Sequence, residues 1–146
     1  MIATLPDDER RAIEADCERL IKRYVNLNDA QDWPAVAALY TEDAVFRRPS
    51  GGDAIEGREA ILASFLARPP RVQRHVIANV VVDVEDETHA RAFCAILLYQ
   101  GDPAPAGELP EMSANSPLVG TFTDKLVRTE EGWRFAERVG GLDFRP

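Results

Sequence analysis

The chain has 146 residues, the size of one folded unit, and we expect residues 1–146 to form a single domain. A net charge of −8 and a pI of about 4.8 argue against a nucleic-acid partner, because phosphate binding needs clustered lysine and arginine. No apolar run approaches transmembrane length, and the first residues lack the basic start and apolar stretch of a signal peptide. We therefore expect a cytoplasmic protein with no membrane partner.

The first third of the chain has helical periodicity. Residues 6–28 begin with Pro6 and a run of acidic residues, and they carry apolar side chains at helical spacing, a stripe that Leu27 continues. Asp32 is a good N-cap for a second helix, with Pro34 in its first turn. Further along, we predict a strand over 44–48, a short strand over 54–56 and a helix over 57–67.

From Val72 onward the apolar period changes to two. Strands are predicted over 72–84, 89–100, 118–129 and 133–139, after which Gly140 and Gly141 are expected to break the sheet. Segment 101–117 holds four prolines and predicts a long irregular loop, of the kind that often forms a lid or an interface. Helices followed by hairpins indicate an α+β fold, with helices on one face of a bent antiparallel sheet that encloses an apolar cavity.

Two polar residues far apart in the sequence could form one site. Asp29 lies where the first helix ends, and His75 opens the first long strand. An imidazole, with an ordinary pKa of about 6.5, suits a general base at neutral pH, and a carboxylate that accepts its ring N–H would fix the tautomer. If the fold does not bring them together, Asp29 is a turn residue and His75 an ordinary histidine at a strand start.

Several segments together carry a family resemblance. They are Tyr24…Asp29…Asp32-Trp33, LYTEDAVF at 39–46, IEGREAI at 55–61, Arg74-His75 and WRFAER at 133–138. With them the chain resembles the SnoaL-like branch of the nuclear-transport-factor-two-like superfamily over essentially its whole length. The resemblance implies a cone-shaped, cystatin-like α+β barrel with three N-terminal helices packed on a strongly bent antiparallel sheet. It implies little about function, since the superfamily includes several kinds of enzyme as well as non-enzymes.

Locally the pattern is similar to the bile-acid dehydratases. These have a tyrosine and an aspartate five apart, a histidine opening the first long strand and an arginine near the end of the last strand. In this chain the matching residues are Tyr24, Asp29, His75 and Arg138. The resemblance implies proton abstraction beside a carbonyl by His75, with Tyr24 stabilising an enolate and Arg138 an anionic or leaving group, and no metal or organic cofactor. Scytalone dehydratase is similar in its aspartate and histidine, but has tyrosine where this chain has Asn28.

Other candidate residues have simpler alternatives. The side chains expected to bind substrate in the cavity are Trp33, Tyr40, Phe46, Phe65 and Asn79, the last only if no bulge separates it from His75. Arg138 could instead pair with an acidic group across the sheet, such as the cross-strand partner of Glu137. Cys17 and Cys94 are expected to be buried small hydrophobes.

Two functions remain open from the sequence. The first is a cofactor-independent dehydratase or isomerase acting on a small apolar ring compound, such as a steroid, a polyketide or an aromatic metabolite. The second is a non-catalytic ligand-binding or structural subunit, similar to the small subunit of a ring-hydroxylating dioxygenase. A homodimer or homotrimer is expected under both, because the outer sheet face is predicted to carry apolar residues such as Val80, Val82 and Ile96.

Overall fold

Residues 4–146, described by a computed structural model, form three helices and six strands. The helices are α1 (Asp7–Asp29), α2 (Trp33–Ala37) and α3 (Arg58–Leu66). The strands are β1 (Tyr40–Arg47), β2 (Ile55–Glu56), β3 (Val72–Val84), β4 (His89–Gly101), β5 (Leu118–Thr129) and β6 (Gly132–Leu142). The order of elements is the one that the sequence predicts.

The strands form one curved, unclosed sheet in the order β2-β1-β6-β5-β4-β3. Neighbouring strands are antiparallel except β1 and β6, which are parallel. Helix α1 lies against β3 and β6 on the concave face, and its apolar stripe enters the core there. The expected α+β cone, with three helices packed on a bent sheet, is confirmed.

The end of α1 sets the position of the site. Its first turn holds three acidic residues, which stabilise the positive end of the helix dipole, and its buried stripe runs from Ile13 to Tyr24. One helical turn after Tyr24 the buried residue is Asn28, whereas Leu27 is only half-buried. The helix ends at Asp29, and Asp32 then caps α2 through a hydrogen bond from the backbone N–H of Ala35, 3.3 Å long.

A β-bulge interrupts β3. The register with β4 shifts between Ala78 and Val81, and Asn79 has a left-handed φ of 55°, a conformation that asparagine tolerates better than most residues. Because the extra residue reverses the alternation of faces beyond it, Asn79 does not continue the inward-facing series of His75. The condition under which Asn79 would share the face of His75 is therefore not met, and its side chain is exposed.

Because of the bulge, the expectation that Val80, Val82 and Ile96 lie on the outer face of the sheet was wrong. Val82 and Ile96 are buried at 8% and 4% exposure, and Val80 packs against the same core. These residues follow the concave face because the alternation changes at the bulge and because Ile96 pairs with Ile77. The exposed apolar side chains on β3 and β4 are instead Val72, Val76, Val81 and Phe93.

The double glycine near the C-terminus does not break the sheet as expected. Strand β6 continues to Leu142, and Gly140 and Gly141 both pair with β5. A Cβ on Gly140 would lie 2.5 Å from Cγ of Pro49, so glycine here permits close packing within a strand. Segment 101–117 is irregular apart from an isolated bridge between Gly101 and Met112, and no helix among residues 4–146 is long and apolar enough to cross a membrane.

Candidate active site

Asp29 and His75 lie together although 46 positions separate them in the sequence. One carboxylate oxygen of Asp29, Oδ1, is 2.5 Å from Nδ1 of His75. The other, Oδ2, accepts a hydrogen bond of 2.8 Å from the backbone N–H of His75. Both side chains are largely buried, at 4% and 11% exposure. The pair therefore forms a two-point contact between the end of α1 and the start of β3.

A second contact fixes the same junction. The side-chain amide of Gln31 donates a hydrogen bond of 2.6 Å to the backbone carbonyl of Arg71, one residue before β3 begins. Gln31 has a φ of 59°, which turns the chain sharply after α1. Nearby, the mostly exposed guanidinium of Arg74 lies 3.7 Å from Oδ2 of Asp29. The junction therefore holds the carboxylate and the imidazole in a fixed relative position.

The contact determines the tautomer of His75. An ionised carboxylate can only accept a hydrogen bond, so Nδ1 carries the proton that Asp29 receives, and the neutral ring has its lone pair on Nε2. Within the described part of the chain, Nε2 makes no hydrogen bond to the protein. The free ring nitrogen is therefore the one that can accept a proton.

His75 lies in the wall of a cavity of about 290 Å³ on the concave face of the sheet. Apolar side chains from β1, β4 and β5 supply much of the wall, among them Phe46, Ile96, Leu98 and Phe122. An imidazole with a free nitrogen in a mostly apolar cavity is the arrangement expected of a small-molecule site.

Three of the residues predicted to line this cavity do so: Tyr24, Trp33 and Phe46. Two others pack behind them and are absent from the wall that the described residues form. Tyr40 is fully buried, with its hydroxyl 2.7 Å from that of Tyr24, and Phe65 stacks on Trp33 with ring centroids 5.3 Å apart. Asn79, at the bulge, lies outside the cavity wall.

Arg138 has a different position from the one expected of a substrate anchor. It is 0% exposed, it is not part of the cavity wall, and its Nε lies 3.0 Å from Oδ1 of Asp124, its cross-strand neighbour. Glu137, by contrast, faces Lys125 across the sheet at 3.2 Å, so the acidic partner of Arg138 is not the cross-strand neighbour of Glu137. The guanidinium also lies 4.2 Å from the ring centroid of Tyr24 and therefore supports the cavity wall from behind.

The Asp124–Arg138 pair is the most deeply buried charge pair of residues 4–146. Burial raises the pKa of Asp124 to about 6, against the attraction of Arg138. At neutral pH the carboxylate is therefore ionised and balances a guanidinium that the aromatic rings of Phe122 and Phe135 also enclose. Asp124 was not recognised in the sequence, where it stands as a single acidic residue within an apolar strand.

Four polar residues of the cavity wall were also missed by sequence analysis. They are Asn28, Arg48, Arg68 and Arg71. Asn28 had a readable signal, because it follows Tyr24 by four residues and must share the buried face of α1. The arginines come from two connections, β1–β2 and α3–β3, and no periodic pattern predicts where such side chains converge.

The remaining reactive groups lie elsewhere. Cys17 and Cys94 are both fully buried, as expected, and burial raises the pKa of Cys17 to about 12. Among residues 4–146, no group of three or more histidine, cysteine, aspartate or glutamate side chains is placed to hold a metal ion. The polar groups that the cavity wall presents include an imidazole, a phenol, amides and guanidinium groups.

Comparison with known proteins identifies the family. Residues 9–139 match the model of the SnoaL-like domain, so the chain belongs to the SnoaL-like domain family, and the resemblance noted in the sequence is confirmed. A search of curated proteins found no significant match.

Solved structures share the fold. A protein from Novosphingobium aromaticivorans, provisionally assigned as a scytalone dehydratase, is 20% identical with a TM-score of 0.81, over 95% of this chain and 89% of that one. A ketosteroid isomerase-like protein from Erwinia carotovora atroseptica is 20% identical with a TM-score of 0.71, over 90% and 96%. A Catenulispora acidiphila protein in complex with S-DNPA is 24% identical with a TM-score of 0.70, over 88% and 92%. At these identities the likeness shows the fold alone.

Proposed function

We propose that this protein is a cofactor-independent dehydratase or isomerase acting on a small ring compound with an apolar body, such as a steroid, a polyketide or an aromatic metabolite. The observation that carries the proposal is the two-point contact between Asp29 and His75, which leaves Nε2 of a cavity-lining imidazole free. A general base held in one tautomer by a buried carboxylate is suited to proton abstraction.

In the proposed first step, Nε2 of His75 takes a proton from a carbon beside a carbonyl group of the substrate. The electrons of the broken C–H bond form an enolate, and the Asp29 carboxylate stabilises the resulting imidazolium. This carboxylate is close enough to act without rearrangement, since its Oδ1 is already 2.5 Å from Nδ1.

Tyr24 is the proposed donor to the enolate oxygen. Burial raises its pKa, so the phenol keeps its proton at neutral pH, and its ring lines the cavity. The Tyr40 hydroxyl, 2.7 Å away and outside the cavity wall, would donate to the Tyr24 oxygen and free the Tyr24 proton for the substrate. Tyr40 is therefore a proposed positioning residue, and Arg138, behind the Tyr24 ring, another.

The second step returns the same proton. In a dehydration, the enolate expels a β-hydroxyl group, which takes the proton from Nε2 and leaves as water. In an isomerisation of a β,γ-unsaturated ketone, the γ-carbon takes it and the double bond moves. Both routes leave His75 neutral, and both share the first step.

The shared step gives a test that does not require the natural substrate. We expect the wild-type protein to accelerate exchange of the α-protons of 2-tetralone in D₂O, followed by NMR. His75→Ala should lower the rate by about 10²–10⁴-fold, whereas His89→Gln, at an exposed hairpin position, should not. Equal rates for wild type and His75→Ala would contradict the proposal and favour a non-catalytic binding subunit.

We also propose that the protein forms a homodimer or homotrimer through the convex face of the sheet. Val76, Val81 and Phe93 are 44–54% exposed on neighbouring strands, and Val81 and Phe93 are cross-strand partners. An apolar patch of this kind usually packs on another subunit. Phe93→Asp should convert the assembly to a monomer by size-exclusion chromatography with light scattering. A monomeric wild-type protein would contradict the proposal.

A further inference from the structure

Three arginines line the cavity of a protein whose overall charge is negative. Arg48 follows β1, whereas Arg68 follows α3 and Arg71 precedes β3, so two separate connections bring the three side chains to one cavity. Among the described residues that form the wall, no aspartate or glutamate is present. The charge of this wall is therefore opposite to the net charge of −8 of the chain.

Arg68 lies in partly dehydrated surroundings and is near enough to Arg48 for the two positive charges to repel each other. The Arg68 guanidinium carbon lies 4.6 Å from the ring centroid of Phe65 and 5.4 Å from that of Trp33. Burial, and to a smaller degree the neighbouring Arg48 guanidinium, lower the pKa of Arg68. Two like charges held together without a carboxylate destabilise each other, and a bound anion would remove that repulsion.

Some N–H groups of these guanidinium groups have no hydrogen-bond acceptor among the described residues. Arg48 donates one hydrogen bond of 3.0 Å to the backbone carbonyl of Ser64, but its Nε is buried without a partner. Nε of Arg71 is likewise buried without a partner, and its Nη2 lies 4.0 Å from Oδ1 of Asp102, a side chain that is 90% exposed. Two of the three guanidinium groups thus carry an N–H for which the described residues supply no acceptor.

A neutral polar group completes the wall. Asn28 is only 4% exposed, lines the same cavity, and its Oδ1 is buried without a hydrogen-bond partner in the described structure. A buried amide oxygen left without a partner costs free energy, which a ligand hydroxyl or amide could recover. The cavity therefore combines apolar walls with unpaired donors on the arginines and an unpaired acceptor on Asn28.

We propose that the ligand of this cavity is an amphipathic carboxylate, with an apolar ring body against the aromatic wall and its carboxylate on Arg48, Arg68 and Arg71. The inference rests on the proposed function only in taking this cavity as the substrate site. It adds the substrate class, because a planar carboxylate matches the fork of N–H donors that guanidinium groups present. The ketone chemistry assigned to His75 would then act on another part of the same molecule.

The test compares two ligands that differ in charge. We expect 2-naphthoate to bind the wild-type protein about 10–100-fold more tightly than 2-naphthamide at pH 7, by isothermal titration calorimetry. In ¹H–¹⁵N spectra, the acid should shift Nε–Hε signals of cavity arginines, and the amide should not. Equal affinities, or no binding of the acid, would overturn the inference.

Variants assign the effect to the three arginines. Arg68→Gln should remove most of the preference for the acid, and Arg71→Gln, at a side chain that is 37% exposed, should reduce it. The control Arg128→Gln removes one exposed positive charge elsewhere and should keep the full preference. A preference that survives both cavity substitutions, or that falls equally in the control, would contradict the assignment.

The two proposals can fail separately. His75→Ala should keep the preference for 2-naphthoate, because the arginines do not depend on the imidazole. If the wild-type protein preferred 2-naphthoate but did not accelerate 2-tetralone exchange, the cavity would bind anions without the proposed catalysis. If the wild-type protein accelerated 2-tetralone exchange but showed no preference for 2-naphthoate, the proposed catalysis would stand and the proposal of a carboxylate ligand would be overturned.

Discussion

The carboxylate of Asp29 contacts His75 through both of its oxygens, one at the ring Nδ1 and one at the backbone N–H, at 2.5 and 2.8 Å. Because the second contact involves the main chain, the carboxylate is positioned by the start of β3 as well as by the imidazole. Changes to the His75 side chain should therefore leave Asp29 in place, whereas changes to Asp29 should affect the ring. This asymmetry makes Asp29 the more informative residue to replace.

Asp29→Asn should reverse the tautomer of His75. The asparagine oxygen can still accept the backbone N–H, but its NH₂ group would face Nδ1 as a donor and move the ring proton to Nε2. We expect 2-tetralone exchange to fall about 10²–10⁴-fold, with folding largely kept. The tautomer can be read from imidazole ¹⁵N shifts, which are easily assigned because the chain has two histidines. A variant with Nδ1–H retained would contradict the expected hydrogen-bond exchange.

The buried Asp124–Arg138 pair should show unequal costs when its members are replaced separately. Asp124→Leu leaves a permanently charged guanidinium without its partner and should cost about 3–5 kcal/mol in free energy of unfolding. Arg138→Met should cost less, because the carboxylate left behind can take up a proton. The double variant should be more stable than Asp124→Leu alone. Urea unfolding measures all three.

The exposed neighbouring pair is a matched control. Lys125 and Glu137 lie on the same two strands, 3.2 Å apart, with side chains that are 59% and 34% exposed. Lys125→Met should cost less than about 1 kcal/mol. If Asp124→Leu and Lys125→Met had similar costs, burial would not determine the strength of these pairs.

The pH dependence of stability should carry a contribution from Asp124. Its pKa is about 6 in the folded protein and near the ordinary value of 3.8 when unfolded, so the folded state binds the proton more tightly. The cost of burying the charged form is fully present above pH 6 and is relieved as the pH falls toward 4. Between pH 4 and 6 the wild-type stability should therefore fall with rising pH, relative to Asp124→Leu/Arg138→Met, by up to about 1.4 kcal/mol per pH unit. Parallel curves for the two proteins would contradict the raised pKa.

Gly140 and Gly141 should respond differently to alanine. A Cβ on Gly140 would meet the ring of Pro49 at 2.5 Å, whereas the nearest atom to a Cβ on Gly141 is Oγ1 of Thr121 at 4.0 Å. We expect Gly140→Ala to cost about 1–3 kcal/mol and Gly141→Ala clearly less, since both lie in β6 and only the first creates overlap. Thermal and urea unfolding of the two variants gives the comparison, and equal costs would contradict the packing role of Gly140.

Much of the fold was readable because local patterns determine it. The period of two from Val72 predicted β3 to the residue, and Pro6 with the acidic residues after it predicted the start of α1 within one residue. The predicted end of β6 was wrong because Gly140 permits the close approach of a distant residue, Pro49, and the local sequence carries no signal of that contact. The predicted outer face of the sheet was wrong because a single inserted residue, Asn79, moves the side chains that follow it in β3 to the opposite face.

The site was predictable in its pairing and less so in its surroundings. Asp29 and His75 stand at element boundaries, where a family pattern can be matched residue by residue. Arg138 matched the same pattern, yet its environment depends on Asp124, which the register of β5 and β6 places opposite it. The cavity arginines come from connections between elements, whose side-chain directions no periodicity determines.

The bulge at Asn79 divides β3 into two halves, and the alternation of side chains between the two faces of the sheet is reversed from one half to the other. Before it, odd-numbered residues such as His75 face the cavity, and after it even-numbered residues such as Val82 face the core. Without this one residue the whole strand would keep a single alternation. Either Val82 would then leave the core or His75 would face solvent. The insertion therefore lets the half of the strand that carries His75 face the cavity while the half that carries Val82 faces the core, each with its own alternation.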